Sequence, residues 1–427
     1  MNIPDTEHPR IVVIGGGFAG ISLIKQLQGS PYQVVLIDRH NYHTFQPLLY
    51  QVSTAGLEPD SIAYPLRKVF RRNKRFHFVL AMVEAVDAQQ GLVKTSVGDL
   101  AYDQLVIATG SRTNFFGNRQ VADNSMPMKT IAQALDIRSL ILQNIEKADQ
   151  TQEVSARRRL LNFVVAGAGP TGVELAGALA EFRKGILEKD YRFLSKEDMQ
   201  VHLLEGSDRV LPPMSKRSSA RALKALERLE VQVHLNTLVT DYDGQTVNTN
   251  TDLKLGTATF IWAAGVTGAP VAGLDGRSLL DRANRYKVDR FNKVVGYDNI
   301  YALGDIAYME TEAYPKGHPQ VAQPAIQQGR LLGTNFRRKV KGKEWKPFSY
   351  FDKGTMATIG RNKAVVDLNR MTFGGALAWF IWMFIHLWYL VGFRNRVVTF
   401  FNWTYSYINY DRAARLIIRP YKRVSRS

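Results

Sequence analysis

An α/β fold with two Rossmann-like dinucleotide-binding domains and a C-terminal amphipathic helical membrane anchor is the expectation for this 427-residue chain. Arg10-Ile-Val-Val-Ile-Gly-Gly-Gly-Phe-Ala-Gly20 is a short apolar run that opens on Gly-x-Gly-x-x-Gly and leads into a helical pattern. Asn162-Phe-Val-Val-Ala-Gly-Ala-Gly-Pro-Thr-Gly-Val-Glu174 repeats that form. Each is followed by a second apolar strand ending in an acid, Gln33-Val-Val-Leu-Ile-Asp38 and Gln200-Val-His-Leu-Leu-Glu205. The third observation is a long apolar, aromatic stretch, Gly374–Phe393, followed by a basic tail.

The residue types in the two loops follow from geometry. Gly15 and Gly167 permit the tight turn, and Gly17 and Gly169 let backbone approach a pyrophosphate. Gly20 and Gly172 let the helix pack close to the strand, with the phosphates on the helix N-terminus. Asp38 and Glu205 present carboxylate oxygens that accept from ribose hydroxyls. A single fingerprint is a weak signal. Two in order, each with strand, helix and acid in place, exclude chance glycine turns.

Length allows two or three domains. The expected division is residues 1–115 with 286–350, residues 116–285, and residues 351–427. A net charge of +18 and a pI near 9.9 point to an anionic partner. Nothing resembles a groove-reading helix or an RNA-stacking sheet, so nucleic acid is not expected. The chain has no cysteine, which removes disulfides, thiolate metal sites, iron–sulfur clusters and redox-active thiols together. No metal site is expected, and Met1–Pro9 lacks the apolar core of a signal peptide.

Along the chain, Arg39–Tyr50 is irregular and rich in aromatics. The pattern predicts a helix over Ser61–Lys74, with a basic cluster that reads as a solvated face. Phe76–Val97 alternates like antiparallel strands, and Tyr102–Gly110 reads as a buried strand ending in a glycine turn. Helices are predicted for Thr130–Ala148, Glu174–Glu188, Lys216–Leu229 and Pro324–Val340. Short strands are predicted across Val231–Thr259 and Lys353–Asp367. Thr259-Phe-Ile-Trp-Ala-Ala-Gly265 echoes Leu105–Gly110, and Asn299–Asp305 is a strand with an acid at its tip.

Ala376–Phe393 is at the lower length limit for a bilayer span. Its aromatics are spread throughout, and crossing would place the basic tail on the wrong side of the membrane. An interfacial anchor fits better, with Val397, Phe400, Phe401, Trp403, Tyr407 and Ile408 at helical spacing. Arg394, Arg396, Arg412, Arg415, Arg419, Lys422, Arg423 and Arg426 outnumber the one acid, Asp411. Each basic residue at an anionic phospholipid surface adds about 1 kcal/mol. An oligomer interface or an ordinary core helix is the alternative.

Two glycine loops with Ala108-Thr-Gly110 and Leu303-Gly-Asp305 resemble the two-dinucleotide-binding-domain flavoproteins. In detail the chain resembles the type II NADH:quinone oxidoreductases. The matching stretches are Asn41–Val52, Gly167–Gly177, Trp262–Val266, Ala322–Gly329, Lys353–Arg361 and Trp379…Arg396, in family order across the chain. The resemblance implies a non-covalent FAD on the first unit, NADH as substrate on the second, and a membrane quinone as acceptor, without proton pumping. It implies FAD contacts from Gly15, Gly17, Phe18, Ala19, Gly20, Asp38, Arg39, Thr44, Phe45, Gln46, Ala108, Thr109, Gly110, Gly304, Asp305 and Gln323. Thr44, Phe45, Gln46 and Pro47 are expected to line the flavin, with backbone N–H groups of this stretch other than that of Pro47 offered to its phosphates and ring.

On the second unit the resemblance implies NADH contacts from Gly167, Gly169, Pro170, Thr171, Gly172, Glu174, Glu205, Ala264 and Gly265. Glu205 would repel a 2′-phosphate and so favour NADH over NADPH. Gln323 and Gln327, one turn apart on a helix, are candidates for the quinone pocket, with helix-end capping as the alternative. Glu174 is either a proton relay or a positioning contact. Lys353 lies by the flavin or the tunnel mouth, or forms an ordinary salt bridge, and His386 packs the anchor or touches the quinone path. The family also implies a monotopic homodimer on the cytoplasmic face of the cell membrane, or on the mitochondrial inner membrane in a eukaryote. An FAD- and NADH-binding redox sensor that does not turn over quinone is the competing function, as is another flavin reductase that works without thiols.

Overall fold

The computed structural model describes residues 1–369, 371–409 and 415–422. The chain forms two compact units, one of Met1–His43, Tyr64–Arg112 and Val266–Asp352, the other of Thr44–Ala63, Thr113–Gly265 and Lys353–Ser427. Each contains a five-stranded parallel sheet.

In the first unit the strand order is Ile300–Ala302, Gln104–Ile107, Arg10–Ile14, Gln33–Asp38 and Phe76–Leu80. The central strand is apolar after Arg10 because both of its faces are covered. Val12 and Ile14 join one core, Ile11 and Val13 the other. The helix Phe18–Leu27 packs against the helix Ala322–Val340, where Gly329 and Gly333 let the two backbones approach.

In the second unit the order is Met126–Pro127, Thr259–Trp262, Asn162–Ala166, Gln200–Leu204 and Gln232–His234, again parallel. The helix Ile131–Asp149 begins with a capping box between Thr130 and Gln133. The loop helix Pro170–Phe182 has proline at its start, where the missing N–H costs nothing. It is covered by the hairpin strand Thr355–Gly360, and a Cβ at Gly177 would strike the Ile359 carbonyl. That strand, Lys363–Leu368 and Met371–Gly375 form an antiparallel sheet, followed by helices Ala376–Tyr389 and Phe393–Asn409.

Three expectations need correction. The helix over Ser61–Lys74 is broken into Pro59–Ile62 and Leu66–Phe70, with extended Ala63–Pro65 between them. Pro65 has no N–H to continue the ladder and holds Tyr64 out of the helical region. Phe76–Leu80 is not antiparallel but is the parallel edge strand beside Gln33–Asp38. Only Val83–Asp87 and Leu92–Thr95 pair as expected. Alternation reports a half-buried face and not the direction of the neighbouring strand, so periodicity does not separate parallel from antiparallel pairing. Finally, Gly374 and Gly375 belong to a strand, and the helix after them has 14 residues.

No helix among the described residues is long and apolar enough to cross a membrane. In Ala376–Tyr389 the exposed Leu377, Phe380, Phe384 and Trp388 recur at helical spacing, while Ala378 and Trp382 are buried. Phe393–Asn409 is inverted: Asn395, Thr399 and Trp403 face inward, while Phe393, Phe400, Phe401, Tyr405 and Ile408 are exposed. Asn395 donates to the carbonyls of Asp60 and Ala63, and the Trp403 indole to Gln51. In the tail, Arg394, Arg415 and Arg419 pair with Asp60, Asp190 and Asp136. Part of the expected lipid-directed charge is therefore spent on the protein itself. Asp411, Arg412, Arg423 and Arg426 lie outside the described residues.

Candidate functional site

The first glycine loop is pinned from several sides. Gly15 has φ +107° and donates its N–H to the Ile37 carbonyl at 2.9 Å. A Cβ there would strike the Ala108 carbonyl, and one at Gly20 would strike that of Gly15. The Gly16 N–H donates to Asp38 Oδ2 at 2.6 Å, and the His40 N–H to Oδ1 at 2.8 Å.

The second loop repeats these bonds. Gly167 has φ +96° and donates to the Leu204 carbonyl at 2.8 Å, and a Cβ at Gly172 would strike the Gly167 carbonyl. Ala168 N–H donates to Glu205 Oε2 at 2.7 Å, and Ser207 N–H to Oε1 at 2.9 Å. Each oxygen of Asp38 and Glu205 thus accepts one backbone bond and has capacity for another. In both units it is backbone amides that orient the acid.

Gly17 and Gly169 test whether the loops fit a dinucleotide. Their φ values, −74° and −68°, suit any residue, and a Cβ on either would meet nothing within 4 Å. Nothing in the protein itself demands glycine there. A phosphate drawn against the N-terminus of the following helix does. Both loops therefore fit the pyrophosphate of a dinucleotide.

Around the first loop, Asp305 Oδ2 accepts from Ser111 Oγ at 2.6 Å, and its carbonyl accepts from the Gln320 amide at 2.9 Å. Gly304, at φ +75°, donates to the buried Gln328 side chain at 2.7 Å. Thr109 donates to the Ala269 carbonyl at 2.7 Å, and Gly110, at φ +69°, borders open space. Phe18 meets the His43 ring edge-on at 5.1 Å, Ala19 is buried beneath Gly329, and Arg39 is exposed. Gln323 lies in the first turn of Ala322–Val340, a helix with no side-chain cap. Gln327, one turn on, closes two hydrogen bonds with the Phe351 backbone, at 2.9 and 3.0 Å.

His43, Ser111, Gln320 and Gln328 were not picked out from the sequence. The Gln327-Gln328 pair held a signal, because adjacent helix residues point different ways and the two amides meet different surroundings.

In the second unit, Glu174 is buried between the loop helix, the strand Thr355–Gly360 and Trp382. Thr358 N–H approaches Oε1 at 3.4 Å. Desolvation pushes this carboxyl up to about 8, against partial relief from the Thr358 amide and the Trp382 indole. It is therefore protonated at neutral pH. His386 donates from Nδ1 to the Trp382 carbonyl at 2.7 Å and stacks on that indole at 4.1 Å. Desolvation pushes it down to about 4, leaving it neutral. Lys353 Nζ donates to Tyr389 Oη at 3.2 Å.

Pro170 opens the loop helix and Thr171 beside it is exposed. Beside Ala264, Gly265 has φ +147°, and a Cβ there would press on the Phe116 ring at 2.9 Å. Thr44 and Gln46 flank the buried Phe45, whose ring meets His386 edge-on at 6.0 Å. The Phe45 N–H donates to the Ile62 carbonyl at 2.8 Å, so this amide is spent on the fold and not offered to a flavin.

Residues 9–329 match the pyridine nucleotide-disulphide oxidoreductase family model, and residues 353–409 the NDH2 C-terminal domain. The type II NADH:quinone oxidoreductase NdhA of Mycobacterium tuberculosis is 38% identical, over 96% of this chain and 89% of its own. Ndh of the same organism is 37% identical, over 96% and 90%. The fold is that of NDH2 from Plasmodium falciparum, solved in complex with NADH, at a TM-score of 0.88 and 21% identity over 97% of this chain and 100% of that one. The sulfide:quinone oxidoreductase of Aquifex aeolicus shares the fold more loosely, at a TM-score of 0.72 and 18% identity over 91% and 92%. By these matches the chain belongs to the pyridine nucleotide-disulphide oxidoreductases and, within them, to the type II NADH:quinone oxidoreductases, the non-pumping respiratory NADH dehydrogenases.

Proposed function

We propose that the first glycine loop holds FAD non-covalently, that the second holds NADH, and that electrons pass from NADH to a membrane quinone. The observation that carries this is the duplicated pinning of loop to acid, Gly16 to Asp38 and Ala168 to Glu205. FAD supplies hydride acceptance and release of electrons to the quinone; the chain supplies position and electrostatics. Asp38 and Glu205 accept from ribose hydroxyls. Glu205 disfavours the 2′-phosphate of NADPH by charge.

Asp305, itself held by Ser111, orients the flavin side chain. Gln323 donates to a quinone carbonyl without ionising. Gln327, with its amide turned onto Phe351, keeps only part of its donor capacity for that role. Glu174 enters the cycle protonated, as suits a donor to reduced quinone, and Lys353 is steadied by Tyr389.

The chain attaches to the bilayer surface as a monotopic homodimer on the side where NADH is made, the cytoplasmic face of the cell membrane. Support comes from the two C-terminal helices, which carry apolar side chains outward and, in Phe393–Asn409, polar ones inward. The test is an absorption spectrum of purified protein, with NADH added and then a short-chain quinone. Flavin bands that bleach with NADH and return with quinone are the expected result. Bleaching without return would instead mark a redox sensor, and a colourless protein would remove the FAD assignment.

A further inference from the structure

Asp38 and Glu205 hold the loop amides alike, but the carbonyl opposite each amide is held differently. In the second unit the Ala168 carbonyl accepts from the Leu211 backbone N–H at 2.7 Å. In the first unit no backbone N–H among the described residues fills that place, and the Gly16 carbonyl accepts from Nδ1 of His43 at 3.0 Å. His43 is 2% exposed, and the Phe18 ring packs edge-on against it at 5.1 Å. Burial beside the loop keeps the imidazole neutral. With the proton on Nδ1, Nε2 is an acceptor only, and it is buried without a hydrogen-bond partner among the described residues. A buried polar atom left unpaired costs about 1–3 kcal/mol. A backbone bond like that of Leu211 would hold the loop without that cost.

From this we infer that His43 is a positioning residue for the flavin dinucleotide. Its Nδ1–H holds the Gly16 carbonyl, so the loop amides keep facing the pyrophosphate. Its Nε2 accepts a hydrogen bond from a hydroxyl donor that comes with the dinucleotide, either a cofactor hydroxyl or a water ordered by it. The inference rests on the proposal that FAD occupies the first loop. It adds a residue that neither the glycine fingerprint nor the terminal acid includes.

The experiment uses purified holoenzyme and follows the rate of FAD release on dilution, by the rise of free-flavin fluorescence. NADH affinity of the flavin-loaded protein is measured alongside. His43→Phe keeps a ring but neither nitrogen, and FAD release at least tenfold faster is expected. His43→Asn keeps an amide donor near the Nδ1 position and loses the Nε2 acceptor. It is expected to release FAD several-fold faster than wild type and more slowly than His43→Phe. NADH affinity should stay within twofold in both variants.

Wild-type release rates in both variants would overturn the inference while leaving FAD in the first loop. A wild-type rate in His43→Asn alone would overturn the role of Nε2. A parallel loss of NADH affinity would overturn the positioning role, showing that His43 supports the fold generally. Wild-type protein without flavin would instead remove the FAD proposal itself.

Discussion

The two nucleotide units share a loop and differ in what covers the helix behind it. Helix Phe18–Leu27 is covered by another helix, and the glycines that allow contact, Gly329 and Gly333, lie on the partner. Helix Pro170–Phe182 is covered by a hairpin strand, and the glycine, Gly177, lies on the loop helix itself. At the position matching Ser22 in the first helix, the second carries Glu174, closed over by Thr358 and Trp382. The two loops share one geometry, whereas the outer faces of their helices differ, and in the second unit that difference includes a buried acid.

Collisions at the loop glycines should give the largest effect. Gly172→Val drives a side chain into the Gly167 carbonyl, and stability should fall by about 3 kcal/mol or more, read as a lower Tm or loss of soluble protein. Gly169→Ala meets open space, so Tm should hold while NADH affinity drops on the order of tenfold, a separation of ligand from fold. If both variants destabilise equally, the ligand-based account of Gly169 is wrong.

Glu174 sharpens the contrast between the units through pH. Its folded value, about 8, lies above its ordinary value of 4.5, so the folded state keeps a proton that the unfolded chain releases. The associated stability is complete below pH 4.5, declines as pH rises, and is gone above about 8. Because the group is buried, the swing is on the order of a few kcal/mol. Melting curves at pH 5 and pH 8 should therefore converge in Glu174→Gln, and an unchanged gap would place the titrating group elsewhere.

A smaller effect is expected at the second loop's acid. Glu205→Gln keeps an acceptor for the Ala168 N–H and removes the charge. The NADPH-to-NADH ratio of kcat/KM should rise on the order of tenfold. No change in that ratio would mean that the Glu205 charge is not what disfavours the 2′-phosphate.

Much of this architecture was legible in the residues. Strand, loop, helix and acid recur in order twice, and the glycine spacing alone marks the turn, the phosphate approach and the helix–strand contact. Other features resisted. Pro65 breaks the helix expected over Ser61–Lys74, because its ring removes an N–H and restricts the residue before it. The apolar pattern of Phe76–Leu80 does not report strand direction, and only its pairing with Gln33–Asp38 shows that it is parallel. Gln327 and Gln328 look alike in the chain, yet one bonds Phe351 and the other Gly304.

The sequence by itself determined two dinucleotide loops, their order, the acids that close them and the absence of thiol chemistry, because those depend on local backbone geometry and residue type. Only the tertiary structure decided that Glu174 is held protonated, that His43 replaces a backbone amide, and that tail arginines are spent on aspartates. Burial and pairing are set by segments distant in the chain, and no local pattern encodes which partner will arrive.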